Sequence, residues 1–474
     1  MRLERRQIRE LIHQSPETVV EIVMELSKQV DVLSKRVEEL EKQMGMNSKN
    51  SHKPPTSDGM RKTKSQRQKG GKRGRPIGHR GETRMQSEIP DEVKEYKPEF
   101  CPHCAHELHS VEQTKVDKRQ VIDIVFRQEI TEHRRITGIC PHCGDRVRGS
   151  FPQNVVAPVQ YGDGIASLAV YLNAYQHLPI ERTAELLGVL LGGNGPSIGT
   201  VAHMVNRAGE KAIPQLHIIR ERILEADVIH VDETSLSAEG RRWLHVVDSK
   251  DYTYYGVHEK RGYDAIHDIG LLERYHGIMV HDFWSSYFKD QLPGTHAMCN
   301  AHLLRELEAI IDSKKGQAWA AKMQQFLRES WKEVKVARET SSGGLSDDRK
   351  SALTQEYGAI LKSAEAELEK LKPPPSKRRR NAAKTDAENL WCRFVDYAEA
   401  ILRFIHDPRV PFDNNSAERS LRMMKLKMKI SGTFRSDKGA HVFAALRSFM
   451  SSAKKQGFDV CLAIRLLLSG QFAF

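Results

Sequence analysis

The chain has 474 residues, and at roughly 150 residues per domain that length predicts about three domains with cores of their own. Hydrophobic residues make up 39% and charged residues 29%, a globular balance, and no run approaches the ~18 consecutive apolar residues of a membrane span. The N-terminus shows no apolar leader, and four of the seven cysteines fall in two close C-x-x-C pairs. The expectation is a cytoplasmic, metal-binding chain, not a secreted disulfide scaffold and not a membrane protein.

From the N-terminus, Val19, Val23, Leu26, Val30, Leu33, Val37, Leu40 and Met44 recur at alternating steps of four and three. That seam predicts a coiled-coil helix within residues 1–46, and with it a homodimer or higher oligomer. Ser15-Pro16-Glu17-Thr18 reads as its start and Gly45 with Asn47 as its end. Residues 47–84 change character: between Lys53 and Arg84, eleven Lys or Arg face only Asp58 and Glu82, a net +9 out of the chain's +12. Like charge among Gly, Ser and Pro cannot collapse, so a disordered arm on DNA phosphates is expected, binding through counterion release. Within it, Lys72-Arg73-Gly74-Arg75-Pro76 resembles an AT-hook core, which lays arginines in a narrow minor groove. General phosphate contact is the other reading.

Residues 85–155 carry the most specific local signal. Cys101-Pro102-His103-Cys104 is repeated as Cys140-Pro141-His142-Cys143. Two thiolate pairs on tight turns supply four soft ligands for one tetrahedral Zn²⁺, and four thiolates leave no open position, so the site is expected to be structural. The 35 residues between the pairs include 120–126 and 130–136, both read as strands of an extended zinc-ribbon hairpin. Residues 156–225 read as helical. Ser197 is placed to cap a helix over 198–212, and that helix with its predecessor resembles a helix-turn-helix offering His203, Asn206 and Arg207 to DNA. A plain helical bundle is the alternative.

In residues 226–310 the period changes. Strands are predicted at 228–231, 242–247, 252–257 and 277–281, with a helix over 263–274, which makes a mixed α/β sheet. Residues 311–400 read as a helical insertion, and 401–474 as helices returning to the sheet domain. Asp232 ends the first strand, Asp282 ends the fourth, and Glu418 follows Asn414-Asn415-Ser416 at a helix start. Strand-end aspartates and a helical glutamate can converge on two Mg²⁺ ions, or Mn²⁺, which take hard oxygen ligands and promote phosphoryl transfer. Glu233 and Asp413 are alternatives on composition.

The N-terminal helix, Asn50-Ser51-His52-Lys53-Pro54-Pro55, Gly78-His79-Arg80-Gly81, the twin C-P-H-C knuckles and three acid motifs together resemble the insertion-sequence sixty-six family of bacterial transposases over essentially the whole chain. The motifs are His230-Val231-Asp232-Glu233-Thr234, His281-Asp282-Phe283-Trp284-Ser285-Ser286-Tyr287 and Asn414-Asn415-Ser416-Ala417-Glu418-Arg419. The resemblance implies a ribonuclease-H-like core with Asp232, Asp282 and Glu418 as a DDE triad holding two metal ions. It further implies cleavage at element ends and strand transfer into target DNA, with Arg80 among the DNA-contacting arm residues. Lys425, seven residues after Glu418 and on the same helix face, and Arg422 would face phosphates. Trp284 would stack on an unpaired base or sit in the core. Cys299-Asn300-Ala301-His302 resembles a C-x-x-H signature, which would put His302 by the second acid and the DNA end. Accessory proteins of the same element and nucleoid association belong to the same expectation. The competing readings are a ribonuclease-H-like nuclease or resolvase, and a non-catalytic zinc-ribbon regulator.

Overall fold

The computed structural model describes residues 16–45, 85–108, 116–313, 317–340, 344–371 and 384–474. The basic arm, with Lys72, Arg73, Arg75 and Arg80, lies outside the described residues. The chain divides into two compact units: a smaller one, residues 65–158 with 190–193, and a larger one holding the rest.

Helix α1, Pro16–Gly45, starts on a proline whose fixed φ suits the first helical position, with Glu17 beside the positive helix end. Val23, Leu26, Val30, Leu33 and Val37 are each more than half exposed. In a coiled coil, a second copy of the helix would cover such a stripe. Removing residues 1–44 should therefore lower the subunit count seen by analytical ultracentrifugation, and an unchanged count would deny α1 that role.

In the smaller unit, strand β1 (Thr137–Ile139) pairs antiparallel with β2 (Arg146–Arg148), and Phe100 bridges Glu107. Each cysteine pair sits on a knuckle. Cys101 N–H donates to His106 O and Ala105 N–H to Cys101 O, mirrored by Cys140 to Asp145 and Gly144 to Cys140. Ala105 and Gly144 close the two turns at φ 56° and 78°. The strands expected at 120–126 and 130–136 do not form; pairing falls later, at β1 and β2. Val121, Ile122, Ile124, Val125, Phe126 and Ile130 are exposed, so no layer covers them, and alternation without a buried face does not specify a ladder.

The larger unit holds a five-stranded mixed sheet of β3 (Val228–Ala238), β4 (Gly240–Asp248), β5 (Thr253–His258), β6 (Ile278–His281) and β7 (Thr295–Met298) in the order β5-β4-β3-β6-β7. The first three are antiparallel neighbours, while β6 runs parallel to both β3 and β7. β7 was not expected, because four residues just ahead of Cys299 carry too short a pattern to read. The predicted helix over 263–274 is split: α5 (Tyr263–Ile269) ends on left-handed Gly270, and a 3₁₀ turn follows.

Helices cover both faces. α2 (Asp163–Val170), α3 (Ile180–Leu190), α4 (Ile198–Leu224), α12 (Asp437–Lys455) and α13 (Val460–Ser469) share one core around Val201, Ala208, Leu446 and Phe449. Ser197 caps α4 as expected, its Oγ accepting from Thr200 N–H, but α4 runs past Pro214 to residue 224. There Ile219 and Ile223 pack on Ile229, Val231, Val247 and Met279 of one sheet face. The other face, with Leu236, Leu244, Val246 and Tyr255, is covered by α11 (Asn415–Ser431) and α12. Between the second and third acids, α6 (Asn300–Asp312), α7 (Ala318–Thr340), α8 (Asp347–Leu371), α9 (Asp386–Asp396) and α10 (Ala398–His406) build a core on Trp319, Phe394 and Phe404. It is continuous with Ile278, Val280, Ala297 and Met298 of β6 and β7. Arg403 Nε donates to His296 O and Asn300 N–H to Phe412 O, so the long excursion returns beside the sheet.

Candidate active site

The register between β3 and β6 sets Val228 against Ile278, Ile229 against Met279 and His230 against Val280. Two residues further on, Asp232 lies within β3, which runs on to Ala238 and does not end at this acid as expected; alternation puts it on the face that α11 covers, and Asp282 stands one residue past the end of β6. Asp232 Oδ1 accepts the Glu233 N–H at 2.8 Å, and Asp282 Oδ1 accepts the Trp284 N–H at 3.0 Å. Burial, then the charges of Glu233, Asp282 and Glu418, hold the Asp232 carboxyl well above the usual range. The three acids therefore share one electrostatic neighbourhood.

Glu418 sits in the first turn of α11, whose start is tied to the sheet by Asn414. Its Nδ2 donates to Val231 O at 2.8 Å, its Oδ1 lies 2.8 Å from His230 Nδ1, and its N–H points at Cys299 Sγ, 3.2 Å away. Asn414 is thus a brace between helix and strand, with no side-chain cap bond. Ser416 Oγ bonds Asp248, which also accepts from Thr253 Oγ1 at 2.5 Å and Lys455 Nζ at 2.6 Å while fully buried. The sequence reading passed over Asp248; its signal was a carboxylate closing the apolar run Leu244-His245-Val246-Val247.

Burial raises the Glu418 carboxyl, opposed by the positive charges of Arg305, Arg422 and Lys425. Arg422 and Lys425 are exposed and share this face of α11 with Glu418. A His302 ring nitrogen lies 3.9 Å from the Glu418 carboxylate, and with Cys299 these residues bring ligand atoms within 4.8 Å of one another. Among the described residues this is the one such group of three or more. Asp232, Asp282 and Glu418 do not form such a group. Burial pushes the Cys299 thiol up to about 12, so it is a neutral packing group at physiological pH. His302 is a largely buried neighbour of the third acid.

Of the alternative acids, Glu233 points to the opposite face, where Arg261 Nη2 donates to Oε1 at 2.6 Å and Tyr287 OH to Oε2 at 2.6 Å. Asp413 Oδ1 accepts the Asn415 N–H at 3.1 Å. His281, fully buried, has Nδ1 2.5 Å from Asp282 O and Nε2 2.9 Å from His296 Nδ1. A carbonyl only accepts, so Nδ1 carries the proton and fixes the Asp282 backbone. Trp284 is half-buried against Tyr287 and Arg261. Arg207 Nη2 donates to Asp163 Oδ1 at 2.9 Å, bracing α4 against α2.

At the cysteine knuckles, backbone N–H groups of His103 and Cys104 pull the Cys101 thiol below its usual range, as those of Cys143 and His142 do for Cys140. Both knuckles are formed, while the four sulfurs are not gathered into one group.

The sequence model described as the Transposase IS66 family matches residues 158–442, and one described as a family of unknown function matches residues 3–85. Two curated proteins of Sinorhizobium fredii are similar to this chain. Uncharacterized protein y4jD is 22% identical over 78% of this chain and 74% of its own length. Uncharacterized protein y4hP is 23% identical over 71% of this chain and 64% of its own length, so the match spans just under two thirds of that relative. Among the described residues, no helix is long and apolar enough to cross a membrane.

Proposed function

The chain belongs to the IS66 transposase family, and from that premise we propose that it cleaves DNA at insertion-element ends and joins the freed ends to target DNA, using Asp232, Asp282 and Glu418. The observation that carries this reading is proximity: the carboxylates of Asp282, one residue past the end of β6, and of Glu418, in the first turn of α11, both act on the buried Asp232 carboxyl of β3. The strand order β5-β4-β3-β6-β7, three antiparallel strands followed by two parallel ones, supports a ribonuclease-H-like core.

The hard carboxylate oxygens suit Mg²⁺ or Mn²⁺, which when bound supply Lewis-acid stabilisation to the attacking and leaving oxygens of a phosphodiester. Asp232, Asp282 and Glu418 would hold two such ions, whose charge would offset the cost of burying the Asp232 carboxylate beside two other acids. Water attacks the phosphorus at the element end and the element's 3′ oxygen leaves as a hydroxyl; that hydroxyl then attacks a target phosphorus, its proton passing to solvent, and the target's own 3′ oxygen leaves, taking up a proton as a hydroxyl. Arg422 and Lys425 hold the phosphate backbone along α11, and Asn414 with Ser416 keeps Glu418 over the strands. A supercoiled plasmid incubated with protein, element-end DNA and Mg²⁺ should acquire covalently joined ends. Cutting without joining would favour the nuclease or resolvase, and binding without cutting the regulator.

We also propose that Cys101, Cys104, Cys140 and Cys143 hold one structural Zn²⁺, given two matching knuckles whose backbone bonds lower the Cys101 and Cys140 thiols. Metal analysis of protein purified without chelator should give one zinc per chain; a value near zero would remove the ribbon. Residues 53–84, with +9 net charge, would supply most salt-sensitive affinity. Deleting them should make the slope of log Kd against log salt shallower by several units, since each neutralised phosphate contributes ~0.9. An unchanged slope would assign those contacts to the folded units.

A further inference from the structure

Beside the acids, four flat groups are stacked in alternation. The Arg261 guanidinium lies 4.4 Å from the centre of the Trp284 ring and 5.1 Å from that of Trp243, and Arg241 lies 4.8 Å from the other. Both arginines lie over the Trp243 ring, so contacts link the four groups from Trp284 through Arg261 and Trp243 to Arg241. The inner guanidinium is locked: Nε and Nη2 both donate to Glu233 Oε1, at 2.8 and 2.6 Å, while Tyr287 holds Oε2. Glu233 is buried, whereas Arg241 is exposed and Trp243 half-exposed. The stack is rigid at its inner end and open at its outer end.

The stack is also coupled to the reaction centre. Glu233 follows Asp232, and the Trp284 N–H donates to the Asp282 carboxylate. The register of β3 with β6 stops at His230 and Val280, so past that point β3 has no strand partner on that side among the described residues. The stack and Asp232 lie on opposite faces of β3, and the edge between them has no strand among the described residues beyond His230, where Asn414 Nδ2 holds Val231 O.

A ladder that served only as a brace would need no indole at its solvent end. Indole and guanidinium planes bind nucleobases regardless of sequence, and Arg241 occupies the place on Trp243 that a base would take. We propose that Trp243, backed by Arg261 and Trp284, is the platform for an unpaired nucleobase adjoining the phosphate that reacts. Arg241 covers it in the free protein and is displaced when the base arrives. The inference rests on the DNA-cleaving function proposed above.

The test compares intact element ends with ends in which one nucleotide flanking the cleaved phosphate is abasic, for the full-length parent and for Trp243→Leu. Removing a stacked base should slow cleavage by the parent about tenfold or more at one of these positions. Trp243→Leu should be slow on intact DNA and lose nothing further on the abasic DNA. If Trp243 is only structural, the two changes multiply, and the proposal falls. Should Trp243→Leu fail to fold, 5-iodouracil at the same position, irradiated with the parent, should crosslink to Trp243; crosslinks solely to other residues overturn the proposal. A parent that cleaves and joins normally yet is indifferent to the abasic site refutes the platform and leaves the transposase reading intact. A parent that cuts no DNA refutes that reading, and the crosslink then decides the platform separately.

Discussion

Replacing Asp232 or Asp282 by Asn, or Glu418 by Gln, should lower DNA cleavage and joining by about three orders of magnitude each. Each amide keeps the side-chain shape and removes a charged oxygen ligand, so DNA binding in a gel-shift assay should persist. Asp413→Asn should stay within a few-fold of the parent, because that carboxylate turns to the Asn415 N–H. Glu233→Gln is no silent control, since it removes the charge that pairs with Arg261. The raised Asp232 carboxyl adds a stability signature with a definite sign. Its contribution to the metal-free fold is fully present below the ordinary aspartate range and is lost as pH rises through the raised value. Metal-free Asp232→Asn should therefore melt above the parent at pH beyond that value, by ~2–4 °C for each kcal/mol relieved. The two should converge below pH ~3, where the parent is protonated in both states. A parent that melts above Asp232→Asn throughout would mean Asp232 is already compensated by the protein.

Asp248→Ala should cost about 3–5 kcal/mol in urea unfolding, the range for stripping the partner from a buried charge. Asp248 is fully buried and joins three elements: Thr253 of β5, Ser416 of α11 and Lys455 at the end of α12. Without it, Lys455 keeps only the Ser249 and Tyr252 carbonyls. Ser416→Ala should cost about 1 kcal/mol, one hydrogen bond. A loss under ~1 kcal/mol for Asp248→Ala would show that the cluster rearranges without it.

The three acids stand out in the sequence as Asp232 and Asp282 after short apolar runs and Glu418 just inside a helix, but β3 runs on from Asp232 to Ala238, because Thr234 and Leu236 continue the alternation. Their supports were harder to read. Asn414 looked like a cap, and only the fold brings His230 and Val231 to it across 184 and 183 residues of chain. The Trp243–Arg261 contact likewise depends on strand pairing that no local pattern announces. The cysteine spacing was plain, but the strand positions between the pairs were not, because apolar alternation there has no packed face to report. Arg207 is expected at DNA from its place on an amphipathic helix, and its ion pair with Asp163, 44 residues away, has no local signal in the sequence.

The most direct test of the shared acid site is anomalous diffraction at the manganese edge from crystals grown with Mn²⁺ and element-end DNA. The account predicts manganese held by Asp232 and Asp282, with Glu418 turned from His302 to ligate it. Manganese bound elsewhere, or held by the aspartates with Glu418 still against His302 and Cys299, would contradict it.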